Sequence, residues 1–393
     1  MSVSVFTDIA VMRLSRNGAM LIVFIDGRVV SGSLGHDVFG PTSAIAASTH
    51  FPQSSRLLLE TTRGDEIVVD LCVPTDLAPL GGRPTIYLDQ NHWSTLTNAI
   101  YQPDRVADRD ELAASAHLVE LATRREVVLP LSSAHMSETC KQVDVEERYR
   151  RALTLAQLSA GWQFRDPLDL RRFELRQALT LRYHERELTP PAAVTLEPNA
   201  IHASQTRSRV ETATDLPEEA RWAVHVIGCI GSILDVMLDA EHLPLQSAAG
   251  WAAEFQRFAR FLADNPTAPE MKRRRTHAKF IADLRRELAE EAHGVGITPD
   301  QMSDWTLQHS EDDLRQMPAL GLYREVLHEK LCNPTLQWEQ NDLMDMMYLT
   351  AAGGYCDHVV GERAHASHMR NGLRRLDRPT KVHRNLRALV ANL

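Results

Sequence analysis

The feature that most constrains this fold is where strand–helix alternation occurs along the chain. It is found at about 84–145 and again at 335–393, and a long helical run separates the two stretches. In the first stretch, Thr85–Leu88 and Glu126–Leu131 have the apolar composition of strands, and Asp110–Arg125 has a helical apolar face. Strands that alternate with helices favour a parallel sheet with right-handed crossovers. The sequence therefore predicts an α/β core whose halves are far apart in the chain.

In the second stretch the predicted order of elements is helix, strand and helix. The sequence predicts a helix from about Glu339 to Ala352, which Gly353 and Gly354 would end, because glycine commonly follows the last helical residue. A strand is predicted at His358–Gly361, and a further helix from about Ala364.

The N-terminal residues 1–82 predict a small β-rich unit with no chemical signature of its own. Met20–Ile25 is a short apolar run, and Arg56–Glu60 with Glu66–Cys72 flanks a turn sequence, as in a hairpin. A cluster of Pro and Gly residues then marks a boundary before the core begins.

Residues 146–334 predict one helix after another, broken by prolines, as an all-helical insertion or lobe. The most apolar run, Ala223–Leu238, is shorter than a membrane span and contains His225 and Asp235. We expect it to be a core helix, and we expect no membrane partner.

The net charge and the cysteine content indicate what kind of protein this chain is. The 393 residues include 43 Lys and Arg against 52 Asp and Glu, a net charge of −9, so nucleic-acid binding must use a local basic patch. The five cysteines are far apart and form no C-x-x-C pair. This predicts reduced thiols in a cytoplasmic protein, and the N-terminus has no signal-peptide pattern.

Three acidic residues occupy positions where an α/β sheet places an active site. Asp89 directly follows the first predicted core strand and Glu362 follows the later one, and parallel sheets bind ligands beyond the carboxyl ends of their strands. Asp89 has the alternative role of capping the next helix. Glu138 lies early in the helix after Glu126–Leu131, where the helix dipole alone favours an acid. His135 is expected to pack beside it.

Asp342 and Asp345 lie on one side of an otherwise apolar helix, at positions i and i+3. Two buried, unpaired like charges would be costly, so a positive group must meet them. A divalent cation is one answer, since hard cations bind carboxylate oxygens. The alternative is a cap role for Asp342 with an arginine partner for Asp345. We favour Asp345 as the direct ligand, because it is the one inside the apolar stretch.

These residues carry a resemblance to a known family. The segments YLDQNHW, LPLSSAHMSE, NDLMD and YCDHVVGER resemble the PIN-like nuclease domain, and the likeness is confined to the two core halves. The resemblance implies a three-layer α/β/α core, Mg²⁺ or Mn²⁺ as cofactor, and hydrolysis of phosphodiester bonds, usually in RNA. It also implies an acidic quartet of metal ligands, namely Asp89, Glu138, Asp345 and Glu362, with Asp342 as rival or helper to Asp345.

A polyanionic substrate needs positive surface near such a site. From Arg363 to Arg387 the chain has eight Lys or Arg residues and one acid, and phosphate contacts of this kind supply most non-specific affinity. Arg363, Arg370 and Arg374 are the predicted contacts. A second basic cluster, Lys272–Lys279, is either a substrate track or a solvated helix face.

The acidic residues together with the resemblance predict a metal-dependent endoribonuclease, and the resemblance also implies a role as toxin or defence effector. Two alternatives stay open: a nucleic-acid-binding scaffold without turnover, and a nuclease acting on DNA. No residue can be assigned to sensing the 2′-hydroxyl that separates RNA from DNA. An inhibitor or regulatory partner protein is also left open.

Overall fold

A computed structural model of the chain describes residues 8–33, 35, 37, 39–40, 42–71, 78–203, 218–239 and 249–393, without the side chains of 218–224. These residues divide into two compact units. The first unit comprises Met1–Pro84, Trp93–Phe164 and Thr195–Leu243, and the second comprises Thr85–His92, Arg165–Val194 and Pro244–Leu393. The division does not follow the predicted boundaries at 82, 145 and 334, which stay predictions.

The strands and helices are numbered in the order in which they occur in the chain. The strands are β1 (Ile9–Ser15), β2 (Ala19–Phe24), β3 (Val29–Ser33), β4 (Ile45–Phe51), β5 (Arg56–Thr61), β6 (Glu66–Asp70), β7 (Ile86–Leu88), β8 (Gln163–Phe164), β9 (Val194–Thr195), β10 (His358–Val360) and β11 (Lys381–His383). The helices are α1 (Gln90–Tyr101), α2 (Arg109–Thr123), α3 (Ser133–Cys140), α4 (Val145–Ser159), α5 (Pro167–His184), α6 (Glu218–Leu238), α7 (Ala249–Asp264), α8 (Pro269–Gly294), α9 (Pro299–Asp304), α10 (Ser310–Gln316), α11 (Pro318–Cys332), α12 (Asp342–Tyr355), α13 (Arg363–Leu376) and α14 (Leu386–Val390).

The first unit contains a six-stranded antiparallel sheet in the order β3-β2-β1-β4-β5-β6. The predicted hairpin is present as β5 and β6, which pair from Arg56 with Asp70 to Glu60 with Glu66. Alternate residues of β5 are buried, including Leu57 and Leu59, so this strand has one face in the core. Cys72, at the end of the predicted second strand, lies outside the described residues.

Helix α6 packs against α3 and α4 within the first unit. Its described side chains include buried Ile230, Ile233 and Met237, which confirms the expected core helix. Throughout the part of the chain that the structure describes, no helix is long and apolar enough to cross a membrane.

The strand predicted at Glu126–Leu131 does not form, and this prediction is wrong. The segment is buried at Val128 and Leu129, but Leu131 makes only an isolated bridge to Gln163. Pro130 has no N–H to donate, which disfavours a regular ladder here. The helix that follows does form as α3. His135 is buried and its Nδ1 accepts the backbone N–H of the capping residue Ser132 at 3.1 Å, a packing role as expected.

The second unit contains a parallel three-stranded sheet in the order β11-β10-β7. The predicted strands Thr85–Leu88 and His358–Gly361 correspond to β7 and β10, which pair in parallel from Ile86 with His358 to Leu88 with Val360. Asp357 accepts hydrogen bonds from the N–H and Oγ1 of Thr85, both at 2.8 Å, which ties the two strand starts together. The mixed α/β class is therefore confirmed.

Helix α11 packs against α5, α7, α8, α12 and α13 in the second unit. Contrary to expectation, Gly353 and Gly354 do not end α12, which continues to Tyr355. A Cβ on Gly354 would lie 2.6 Å from the carbonyl carbon of Pro318, so these glycines allow α12 to approach the start of α11 closely.

The start of α11 is capped from another helix. The buried carboxylate of Glu174, on α5, accepts the N–H groups of Ala319 at 2.7 Å and Leu320 at 2.9 Å. It also accepts the hydroxyl of Tyr355 at 2.8 Å. The carboxylate thus accepts from helix N–H groups that would otherwise lack a partner.

Candidate active site

Two of the predicted acids lie at the carboxyl edge of the parallel sheet in the second unit. The N–H of Asp89 donates to the carbonyl oxygen of Val360 at 2.9 Å, which places Asp89 directly beyond β7 and beside the end of β10. Glu362 follows β10 and is exposed, whereas Asp89 is half-buried and accepts the N–H of Gln90 at 2.7 Å. Adjacent parallel strands thus deliver both carboxyl groups to one edge.

Asn91 connects the two strand ends. Its Nδ2 donates to Glu362 Oε1 at 2.5 Å, across the 271 residues that separate them in sequence. This hydrogen bond holds the glutamate side chain toward the start of α1. The amide therefore orients one of the two strand-end carboxylates.

Asp345 lies near the same edge through its contact with α13. Its carboxylate is 3.9 Å from His365 Nε2, and His365 is one helical turn after Glu362. Burial lowers the pKa of His365, with the charge of Lys330 adding to the effect while Asp342 and Glu362 oppose it. The 3.9 Å separation is longer than a hydrogen bond, so His365 is a close neighbour of Asp345 at this edge.

Asp342 has a different environment from Asp345. Its side chain is 9% exposed and forms an ion pair with Lys330 of α11, whereas the side chain of Asp345 is 44% exposed. Asp342 also accepts the backbone N–H of Glu339 at 2.5 Å. The expectation that both acids are buried is wrong for Asp345, and the positive partner of Asp342 is a lysine.

Glu138 belongs to the first unit, unlike the other three members of the predicted quartet. It lies on α3, its side chain is 41% exposed, and it forms an ion pair with Lys141 one turn later. Its place among the metal ligands stays a prediction.

The donor set can be compared with what each metal requires. Among the described residues there is no group of three or more His, Cys, Asp or Glu side chains placed to hold a metal ion. A structural zinc site would need such a group, commonly with four ligands. Mg²⁺ differs, because it usually keeps several waters and binds through one or two carboxylates together with substrate phosphates. Asp89 and Glu362 fit that limited requirement.

The predicted substrate contacts all lie on α13 but differ in availability. Arg363, the first residue of the helix, is exposed next to Glu362, and Arg374 is exposed and donates to Asn371 Oδ1 at 3.0 Å. Arg370 is half-buried, and its Nε donates to the carbonyl oxygen of Val382 at 3.0 Å. Arg363 and Arg374 are thus better placed than Arg370 to meet a substrate.

Three cations of the second basic cluster, Lys272–Lys279, contact other residues of the second unit. Arg273 pairs with Glu325 and Lys279 pairs with Glu254. Lys272 donates to the carbonyl oxygen of Cys332 at 3.4 Å. These contacts favour the structural interpretation of Lys272–Lys279 over a substrate track.

Sequence reasoning missed the roles of Asn91 and His365. Asn91 is two residues after the first strand-end acid, and His365 is three residues after the last one, so spacing from the acids was the available signal. Comparison of the chain with family models, curated proteins and solved structures found no match.

Proposed function

We propose that this protein is a metal-dependent endonuclease that hydrolyses phosphodiester bonds in RNA. One observation supports the proposal above all others: Asp89 and Glu362 follow adjacent parallel strands and lie at one carboxyl edge. This is the edge at which open parallel sheets bind ligands. Asp345 and His365 extend the polar surface from α12 and α13.

Each residue at this edge has a role in the proposed reaction. Asp89 and Glu362 would hold the metal, and Asn91 keeps the Glu362 carboxylate oriented. When bound, Mg²⁺ or Mn²⁺ supplies a more acidic water and stabilises negative charge on the phosphate. His365 lies beside Asp345 at the same edge, and Arg363 and Arg374 would bind substrate phosphates.

The proposal includes a PIN-like, three-layer core formed from 84–145 and 335–393, with 146–334 as an insertion. Contrary to the prediction, the insertion is not all-helical, because it contains the two-residue strands β8 and β9. The parallel pairing of β7 with β10 supports the proposed core, because it joins the first strand of 84–145 to the strand in 335–393. A toxin or defence role in the cytoplasm extends the same proposal.

The test is cleavage by the purified chain. Transfer RNA, single-stranded RNA and single-stranded DNA are incubated with Mg²⁺ or Mn²⁺, or with a chelator, and the fragments are resolved on gels. We expect metal-dependent cleavage of RNA that Asp89→Asn abolishes. The matched control is Asp264→Asn, at the exposed end of α7 in the same unit.

Other outcomes would contradict the proposal in different ways. RNA binding without cleavage by the unaltered protein would instead identify a nucleic-acid-binding scaffold. Cleavage of DNA alone would assign the same chemistry to a different substrate. Cleavage that persists in a chelator would exclude the metal-dependent mechanism.

A further inference from the structure

A pocket of about 230 Å³ opens within the first unit, and among the described residues that line it three are arginines and one is an acid. These are Arg56, Arg83, Arg125 and Asp70. Trp162, two serines and three apolar residues form the rest of the wall. The proposed nuclease residues of the second unit take no part in it.

Arg83 is held in place by main-chain acceptors. Its Nε donates to the carbonyl oxygen of Leu80 at 2.8 Å, and one terminal nitrogen donates to that of Pro79 at 2.9 Å. Its guanidinium lies over the ring of Trp162, 5.1 Å from the centroid. Because a guanidinium has five N–H donors, these bonds fix its orientation without using all of them.

Arg125 is anchored in the same manner. Its terminal nitrogens donate to the carbonyl oxygens of Val68 at 2.9 Å and Ala122 at 3.3 Å, and its Nε lies 3.4 Å from Asp70 Oδ1. Its backbone has a φ of 61°, directly after the last turn of α2. Glycine is the usual residue there, since other residues are strained in this conformation. A large cation occupies a position that backbone geometry would give to glycine.

The charges that line the pocket do not balance. Asp70 is the single acid, and it also accepts the indole N–H of Trp162 at 3.2 Å. Three guanidinium groups therefore face one carboxylate. Burial lowers the pKa of Arg125, and Arg56 and Arg83 lower it further, while Asp70 opposes them. A doubly negative ligand would neutralise the remaining charge.

We propose that this pocket binds the phosphate group of a small phosphate monoester. A phosphate dianion matches the excess of two positive charges, and anchored guanidinium groups suit its oxygens because they donate paired, parallel hydrogen bonds. Pockets for drug-sized ligands occupy about 300–1,000 Å³, so this smaller pocket suits a phosphate carrying a small organic group. The site is independent of the proposed nuclease activity.

Isothermal titration calorimetry on the full chain tests the proposal, with inorganic phosphate and ribose 5-phosphate as probes in chloride of matched ionic strength. We expect both to bind, and Arg125→Gly to raise the Kd at least tenfold. Glycine suits the left-handed backbone, so this variant keeps the local conformation. The matched control, Arg28→Gln, removes an exposed cation of the same unit and should leave the Kd unchanged.

If Arg125→Gly fails to fold by circular dichroism, exposed Arg56→Gln provides the same test, with the same tenfold loss expected. Absence of phosphate binding by the unaltered protein at 10 mM probe would overturn the proposal. An equal Kd in the pocket variant and the control would overturn it too, because binding would then be due to general positive charge.

Discussion

Acids in the second unit occupy two contrasting places, the packed starts of α11 and α12 and the carboxyl edge of the parallel sheet. At the helix starts, Glu174 and Asp342 are buried and each meets internal partners, namely helix N–H groups, a tyrosine hydroxyl and a lysine. At the sheet edge, Glu362 is exposed and Asp345 nearly half exposed. A buried acid whose oxygens already meet hydrogen-bond donors or a lysine stabilises the fold. An acid that is accessible to solvent at the end of a strand can instead bind a ligand.

The largest expected difference between the buried acids and the acids at the sheet edge is in the rate of RNA cleavage. Asp89→Asn should lower the rate of RNA cleavage about a thousandfold, equivalent to roughly 4 kcal/mol of lost transition-state stabilisation. The melting temperature should change little, because the backbone contacts of Asp89 remain. Cleavage rates and circular dichroism of the same preparation measure both. Retained cleavage would remove Asp89 from the proposed site.

The next effect compares the two aspartates of α12. Asp342→Asn leaves the buried charge of Lys330 without its counter-ion, which should cost about 3 kcal/mol of stability. Asp345→Asn should change stability by no more than about 0.5 kcal/mol, as surface substitutions usually do, yet lower activity. Denaturation midpoints and cleavage rates distinguish the pair. Equal losses of activity with unchanged stability would contradict the contrast.

A smaller effect is expected on how protein stability depends on pH through Glu174, one of the two buried acids. Burial raises the pKa of Glu174 to about 7, with its hydrogen bonds opposing the rise. The folded protein then binds a proton more tightly than the unfolded chain, so this group favours folding at low pH and loses that contribution as pH rises toward 7. Relative to Glu174→Gln, stability should fall by about 2 kcal/mol between pH 5 and pH 7. A pH-independent difference would show that this carboxyl does not titrate in that range.

The smallest effect is on the salt dependence of binding near the sheet edge. In an Asp89→Asn background, replacing Arg363 and Arg374 by Ala should make the slope of log K against log salt shallower by about 1.4 for single-stranded RNA. Exposed Arg186 and Arg286, replaced together, remove the same charge elsewhere in the unit. Equal changes of slope in both double variants would mean that α13 is not the substrate track.

How well the sequence predicted each feature depended on how local its cause is. The strands β7 and β10 and the acids that follow them were predictable, because an apolar run with an acid directly after it is visible in a few residues. The pairing of Asp342 with Lys330 was not, since it depends on how α11 packs against α12. The strand β11 was not predictable either, because Lys381, Val382 and His383 form no apolar run. Gly354 was wrongly predicted to end α12, because glycine is typical both of helix ends and of places where two helices pack closely.

The parallel sheet also sets an order of events during synthesis. Thr85 and its partner Asp357 are 272 residues apart, and β11 is made later still. While the ribosome translates the intervening chain, β7 lacks β10, the strand with which it pairs, and Asp89 has no Glu362 beside it. The proposed catalytic edge therefore assembles only after β10 emerges. For the proposed ribonuclease, this order would keep the nascent chain inactive beside the messenger RNA that encodes it.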